Sequence, residues 1–163
     1  IALPLGQFIG RFAKYVNQEL YGLPTGVSWW GLSIDREFRV GEFTRTTLYP
    51  LDGPTETLFH PLFLYEGVLM LVVFIVLIRL FNTQRKNLMP GTLFFLYLAS
   101  YSAVRYVLEF LRIEVNLFRL YDEAGNVTTR INTSQLLSGV AFVIALIGLA
   151  PRWGSIQRGK KSE

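Results

Sequence analysis

Residues 62–80 read LFLYEGVLMLVVFIVLIRL, and Glu66 and Arg79 are the only charged residues among them. A run this apolar on every face leaves no side for water, so it is not the surface helix of a soluble domain. It has the length a helix needs to cross a hydrocarbon core about 30 Å thick, roughly 20 residues. Two further runs qualify. Residues 89–111 are long enough but carry Arg105 and Glu109, and residues 135–150 reach spanning length when extended toward Thr133 and Pro151. A helix over residues 3–15 opens the chain and is expected to be the end of a fourth span. The fold class expected is an all-α integral membrane protein. It has three full transmembrane helices, the end of a fourth, and an irregular outward-facing loop region.

Charged residues make up 17% of the chain, below the roughly 25% of a soluble domain. There is no cysteine, which excludes a disulfide framework, a thiol nucleophile and a zinc–sulfur site built from this chain. One histidine cannot make a histidine-rich metal site, and neither a metal nor a cofactor is called for. The chain opens on Ile within an apolar segment that lacks a basic leader region, which reads as a fragment and not as a signal peptide. The net charge of +4 comes from basic residues beside apolar runs, a topology signal without a nucleic-acid-binding pattern.

That signal gives an orientation. The short loop 81–88 holds Arg85 and Lys86, with Arg79 at its edge, and the tail holds Arg152, Arg158, Lys160 and Lys161. With three spans these basic segments share a side, expected to be cytoplasmic. The stretch 112–133 is balanced. The stretch 23–59 is acidic overall, with Asp35, Glu37, Glu42, Asp52 and Glu56 against Arg36, Arg39 and Arg45. Both are expected to face outward. Residues 23–59 carry Pro24, Gly26, Trp29, Trp30, Gly31, Pro50 and Pro54, the texture of an irregular or partly β excursion at the interface. Its tryptophans suit the headgroup level. DEAGN at 122–126 reads as the turn of a small hairpin between residues 118–121 and 127–131.

The polar residues within the spans carry the chemistry. Tyr101, Arg105, Glu109 and Arg112 follow at helical spacing and are expected to form one stripe. A charge at mid-span costs about 2.5–3.5 kcal/mol, so such residues face a bundle interior or a water-filled cavity. A buried Arg–Glu pair that only fixes helix contacts is the plainer reading. In the first helix, Gly6 and Gly10 form a small-xxx-small pair that permits close helix contact. Arg11, Lys14 and Gln18 then share a basic face near the outer boundary, where interfacial snorkelling is the alternative for Lys14. In HPLFLYE, residues 60–66, Glu66 has a helix-dipole explanation and His60 a cap-like one, while Glu66 with Tyr65 also suits a polar cavity. Gln135 adds a polar group at the outer end of the last span. Two arginines on different helices, each with carboxylates nearby, suggest a site for an anionic phospholipid headgroup in the outer half of the membrane.

These residues resemble the prolipoprotein diacylglyceryl transferase family. The likeness lies in GRFAKYVNQELYG at residues 10–22 and HPLFLYE at 60–66. It continues through MPG, Tyr101, Arg105, Glu109 and Arg112 in the family's order, then Gln135. It runs nearly end to end and makes this chain the C-terminal part of one transmembrane domain in a bacterial inner-membrane protein. The family transfers diacylglyceryl from phosphatidylglycerol to the lipobox cysteine of a prolipoprotein, through its signal peptide region, and releases glycerol phosphate. The resemblance implies that Arg11 and Arg105 are the catalytic arginines. Asn17, Glu19, Gly22, Glu66 and Tyr101 would join them in substrate binding, and Glu109, Arg112 and Gln135 would orient the site. Lys14 stands where the family's pattern, resembling GRxxNxxN, has asparagine. The family's His-Gly-Gly motif and thiol-activating histidine are not in this sequence, so this stretch alone is expected to be inactive. A non-catalytic phospholipid-binding or transport subunit, and a purely structural bundle, remain the readings from other classes.

Overall fold

The computed structural model describes residues 2–53, 55–84, 86–113, 117–121 and 127–158. Pro54, Arg85, Glu114, the 122–126 turn, Lys160 and Lys161 lie outside them. The chain runs as α1 (Ala2–Val16), α2 (Leu62–Gln84), α3 (Thr92–Leu108), β1 (Leu117–Tyr121), β2 (Val127–Asn132), α4 (Thr133–Leu149) and α5 (Trp153–Arg158). Among the described residues, three helical stretches are long and apolar enough to cross a membrane: Leu62–Gln84, Thr92–Leu111 and Thr133–Arg152. At 1.5 Å per residue the two 20-residue stretches reach about 30 Å. The membrane part is helical as expected, and the last span extends at both ends as its sequence required.

Helix neighbours in sequence are neighbours in space, α1 on α2, α2 on α3 and α3 on α4. Gly6 and Gly10 have no part in this. Among the described residues, nothing outside α1 lies within 4 Å of where a Cβ at either would sit, so the close contact this pair permits is not used between α1 and α2. Two aromatic rings on α1 and the stem of Arg11 meet α2 instead. β1 and β2 pair antiparallel, adding a two-stranded hairpin between α3 and α4.

The end where α2 gives way to α3 is held by one arginine. Arg152 donates from Nη1 to the Gly148 carbonyl (2.6 Å) and from Nε to the Pro90 carbonyl (3.0 Å). Its guanidinium lies 4.9 Å from the Phe95 ring centroid. Arg152, just past α4, therefore meets the residues that lead into α3. Phe95 in turn occupies the space beside Gly148, with three ring carbons 2.3–2.6 Å from a Cβ placed there. Gly148→Ala should lower stability by about 1–3 kcal/mol through overpacking. Gly139→Ala on the same helix has open space and should not lower it. Thermal unfolding midpoints of the two variants in one detergent check this contrast.

The other end is tied by backbone. Gly22 N–H donates to the His60 carbonyl (2.8 Å), Leu23 N–H to Leu111 (2.9 Å) and Phe59 N–H to Leu32 (2.9 Å). The exits of α1 and α3 and the start of α2 are thus stitched side by side. Gly22 permits this crossing: a Cβ there would lie 2.6 Å from the Leu111 carbonyl oxygen. Residues 23–59 are irregular, as expected, with two short 3-10 turns, Arg36–Phe38 and Gly41–Thr44. With Tyr21 they form a small core, in which Tyr21, Ile34, Phe43 and Phe59 are buried together. Arg39 is buried behind that core. It donates from Nε to Ile34 O and from Nη1 to Tyr49 O, each at 2.7 Å, and stacks over Phe59. Burial pulls its guanidinium below the usual arginine pKa.

Candidate functional site

The stitched end brings three helices to one depth. Arg11 lies five residues before the end of α1, Glu66 four after the start of α2, and Arg105 six before Leu111. At helical rise these offsets are all about 6–9 Å inside the helix ends. Glu66 is the hub. Its Oε1 accepts from Arg11 Nη2, and its Oε2 lies 3.8 Å from Arg105 Nη1. A second carboxylate sits outward of it, where Glu109 Oε2 is 3.6 Å from both Arg105 Nη2 and Arg112 Nη1. Both carboxylates are almost wholly enclosed, their side chains 2% and 1% exposed, while the three arginines keep about a fifth to a quarter of theirs open.

That burial corrects the plainer reading of Glu66. The first turn of α2 holds no acidic residue; Glu66 lies in the second turn and compensates two guanidiniums. The stripe on α3 also differs from the expected one. The α-helix ends at Leu108, and Glu109–Leu111 tightens into a 3-10 turn before Arg112 turns extended. Glu109 still meets Arg105 at i−4 and Arg112 at i+3, the neighbours that helical spacing gives it. Among the described residues, three guanidiniums meet two carboxylates here, an excess of one positive charge. In a low-dielectric setting that excess is costly until an anion meets it.

The arginines open into a cavity of about 340 Å³ lined by Arg11, Arg105 and Arg112, with Lys14 and Glu19 at its side. Lys14 Nζ donates to Glu19 Oε2, and this holds the Glu19 carboxyl below its usual pKa. Asn17 donates to the other Glu19 oxygen at 3.4 Å. Gly22 takes its place at the backbone crossing described above. Tyr101 is not a wall of this cavity; it stacks on Tyr97 with centroids 6.0 Å apart, one turn deeper than Arg105. Gln135 also lies elsewhere. It borders a larger apolar groove of about 650 Å³ between α3 and α4, with Tyr106 and Asn132, and none of its lining residues among those described is charged. His60 lies 3.0 Å from the Tyr65 hydroxyl, which accepts from Trp30 Nε1 at 2.8 Å.

The cavity has walls that sequence reasoning missed. Tyr21, Phe38, Val40 and Ile113 also line it. None falls in a periodic segment, so no pattern marked them. The one available signal was an aromatic residue beside Gly22, where the chain must turn. Three planar guanidiniums backed by buried carboxylates turn paired donors toward this cavity, an arrangement whose chemistry suits a phosphate-sized anion.

Residues 1–150 match the profile of a family described as prolipoprotein diacylglyceryl transferase. The chain is similar to the phosphatidylglycerol–prolipoprotein diacylglyceryl transferase of Chloroflexus aggregans, 41% identical over 147 residues, which cover 86% of this chain and 46% of that protein. The protein of that name in Thermotoga maritima is 35% identical over 90% of this chain and 42% of its own length. The one in Parasynechococcus marenigrum is 32% identical over 91% and 50%. The chain thus spans about half the length of these curated relatives. No solved structure matches it.

Proposed function

The chain belongs to the prolipoprotein diacylglyceryl transferase family, and on that premise we propose that its arginine cavity holds the phosphate of phosphatidylglycerol while diacylglyceryl passes to the lipobox cysteine of a prolipoprotein. The observation that carries this is the convergence of Arg11 and Arg105 on one buried carboxylate, with a positive charge left over. Lipid tails then run along the apolar helices, and the phosphate rests where the guanidiniums open.

The bond changes are simple. The acceptor sulfur, as thiolate, attacks the glycerol carbon that bears the phosphate ester, and a C–S bond forms. The C–O bond breaks, its electron pair stays on the phosphate oxygen, and glycerol phosphate leaves as an anion. Negative charge therefore grows on the leaving oxygen, and fixed guanidiniums beside it stabilise the transition state more than the ground state. Arg11 and Arg105 take that role. Glu66 and Glu109 hold them in place without competing for the cavity, since both carboxylates are enclosed behind the arginines. Arg112 adds a donor at the outer edge, with Asn17 and Glu19 on the rim. Tyr101, one turn deeper, is at the level where a lipid's glycerol ester groups would lie. Gly22 contributes by allowing the backbone crossing, and Gln135 orders the outer end of α4.

The protein works in the bacterial inner membrane with loop 81–88 and the tail in the cytoplasm, and residues 23–59 and the hairpin outside. Its partners are phosphatidylglycerol and the signal-peptide region of prolipoproteins, and no cofactor takes part. Activity belongs to the full-length protein; this stretch alone supplies the phospholipid side. The test uses the full-length protein, lipobox peptide and phosphatidylglycerol labelled in its headgroup glycerol. One glycerol phosphate should be released for each thioether formed. Lipid binding without release would favour the non-catalytic carrier instead.

A further inference from the structure

The outward wall of the cavity is not made by a membrane helix. It comes from the excursion, where Phe38 and Val40 flank the buried Arg39. Extended backbone at Arg39 (φ −78°, ψ 142°) sends neighbouring side chains to opposite sides. Arg39 thus points back to the Ile34 and Tyr49 carbonyls, and Phe38 and Val40 border the cavity. What ties this segment to the cavity is one hydroxyl. Tyr21 Oη donates to the Phe38 carbonyl at 2.7 Å and accepts from the Val40 N–H at 3.0 Å. The ring that carries it is buried edge-on against Phe59, so the hydroxyl is held in place. A second tie lies beside it, where Gln18 Nε2 donates to Asp35 Oδ2 at 2.6 Å and Gln18 Oε1 accepts from Asp35 N–H at 2.8 Å.

We propose that Phe38 and Val40 are specificity-determining residues that contact the outer end of the lipid headgroup, and that Tyr21 is the positioning residue that holds them over the arginines. The inference rests on the headgroup reading above. With the phosphate on the arginine layer, the rest of the headgroup extends outward, toward these two side chains. A charged outer end would be desolvated against Phe38 and Val40, and an ammonium would meet the repulsion of Arg11, Arg105 and Arg112, while the Glu19 carboxylate in the same cavity is already paired with Lys14. An uncharged polyol loses least there and keeps Gln18 and Lys14 within the same cavity as polar neighbours. The wall therefore selects a compact, uncharged headgroup.

Hydrogen–deuterium exchange on the full-length protein in phosphatidylcholine nanodiscs, with and without phosphatidylglycerol, tests this together with lipid-dependent transfer rates. Phosphatidylglycerol should slow exchange in residues 36–44 of the wild type. Tyr21→Phe removes the acceptor of the Val40 N–H while keeping the ring. It should speed exchange in that segment, cut the lipid-dependent protection at least threefold, and raise KM for phosphatidylglycerol about tenfold with kcat within twofold. Phe38→Ala, which leaves the Tyr21 hydrogen bonds in place, should raise KM in the same way and narrow the preference over phosphatidylethanolamine. Thr44→Ala removes a hydrogen bond to the Gly41 carbonyl in the same excursion and should leave KM unchanged. Protection by phosphatidylglycerol around Arg105 but none at 36–44 would overturn the wall and leave the arginine site standing. Protection at neither place would overturn both. A Tyr21→Phe or Phe38→Ala protein that loses kcat at constant KM would also contradict the assignment.

Discussion

Glu66→Ala should destabilise the folded bundle by about 3–5 kcal/mol, the range for removing one partner from a buried ion-paired group. The reason is the arrangement around it. Glu66 compensates Arg11 from one oxygen and Arg105 from the other, and its own side chain is almost wholly enclosed. Removing it leaves two guanidiniums facing each other across three packed helices. Glu66→Gln keeps the volume and a hydrogen-bond acceptor, so its loss should be smaller, about half. Unfolding midpoints in detergent order the three proteins as wild type, Gln, then Ala. A phosphate-bearing lipid should raise the midpoint of Glu66→Gln more than that of wild type, because the anion replaces part of the missing charge.

Arg105→Ala should reduce transfer in the full-length protein by about a thousandfold, near the upper range for removing one donor from a preorganised anion site. Arg105 lies close to both buried carboxylates, at 3.8 Å from Glu66 and 3.6 Å from Glu109. Its loss therefore misplaces the cluster as well as removing a donor. Arg105→Lys retains the charge but not the planar fork, and should recover only part of the rate. The loss should fall mainly on kcat, since the charge it meets develops as the C–O bond breaks. Steady-state kinetics on membrane-inserted protein of equal amount decide it. A variant that keeps kcat and changes only KM would assign Arg105 to ground-state binding alone.

The spans, the irregular excursion and the hairpin strands were legible because each leaves a one-dimensional trace: an apolar run, a cluster of Pro and Gly, or two short runs around a turn. Charges inside apolar runs pointed to Arg11, Arg105 and Glu109 for the same reason, since a lone charge in such a setting needs a partner. What was not legible depends on residues far apart in the chain. Glu66 read either as a helix-start carboxylate or as part of a polar cavity, and its pairing with two arginines was hidden because they are 55 and 39 positions away. Gly6 and Gly10 carried a contact motif, but α1 meets α2 through Arg11 and its aromatic neighbours, on another face. The break at Glu109 escaped because a 3-10 turn leaves the sequence pattern of an α-helix nearly intact. Phe38 and Val40 escaped because the excursion has no period, and it is the Tyr21 hydroxyl and the Gln18–Asp35 pair, with the backbone ties at 22–25, that bring them over the arginines.

The central claim is contact between these guanidiniums and a lipid phosphate. Solid-state NMR recoupling between ¹⁵N-labelled arginine side chains and the ³¹P of phosphatidylglycerol, in the full-length protein, reads that contact directly. The arrangement predicts arginine nitrogens about 4 Å from phosphorus, the spacing of a direct hydrogen bond to a phosphate oxygen. It also predicts that the signal falls in Arg11→Lys and Arg105→Lys proteins. Dephasing that is absent with lipid bound, or unchanged when both arginines are replaced, would contradict it.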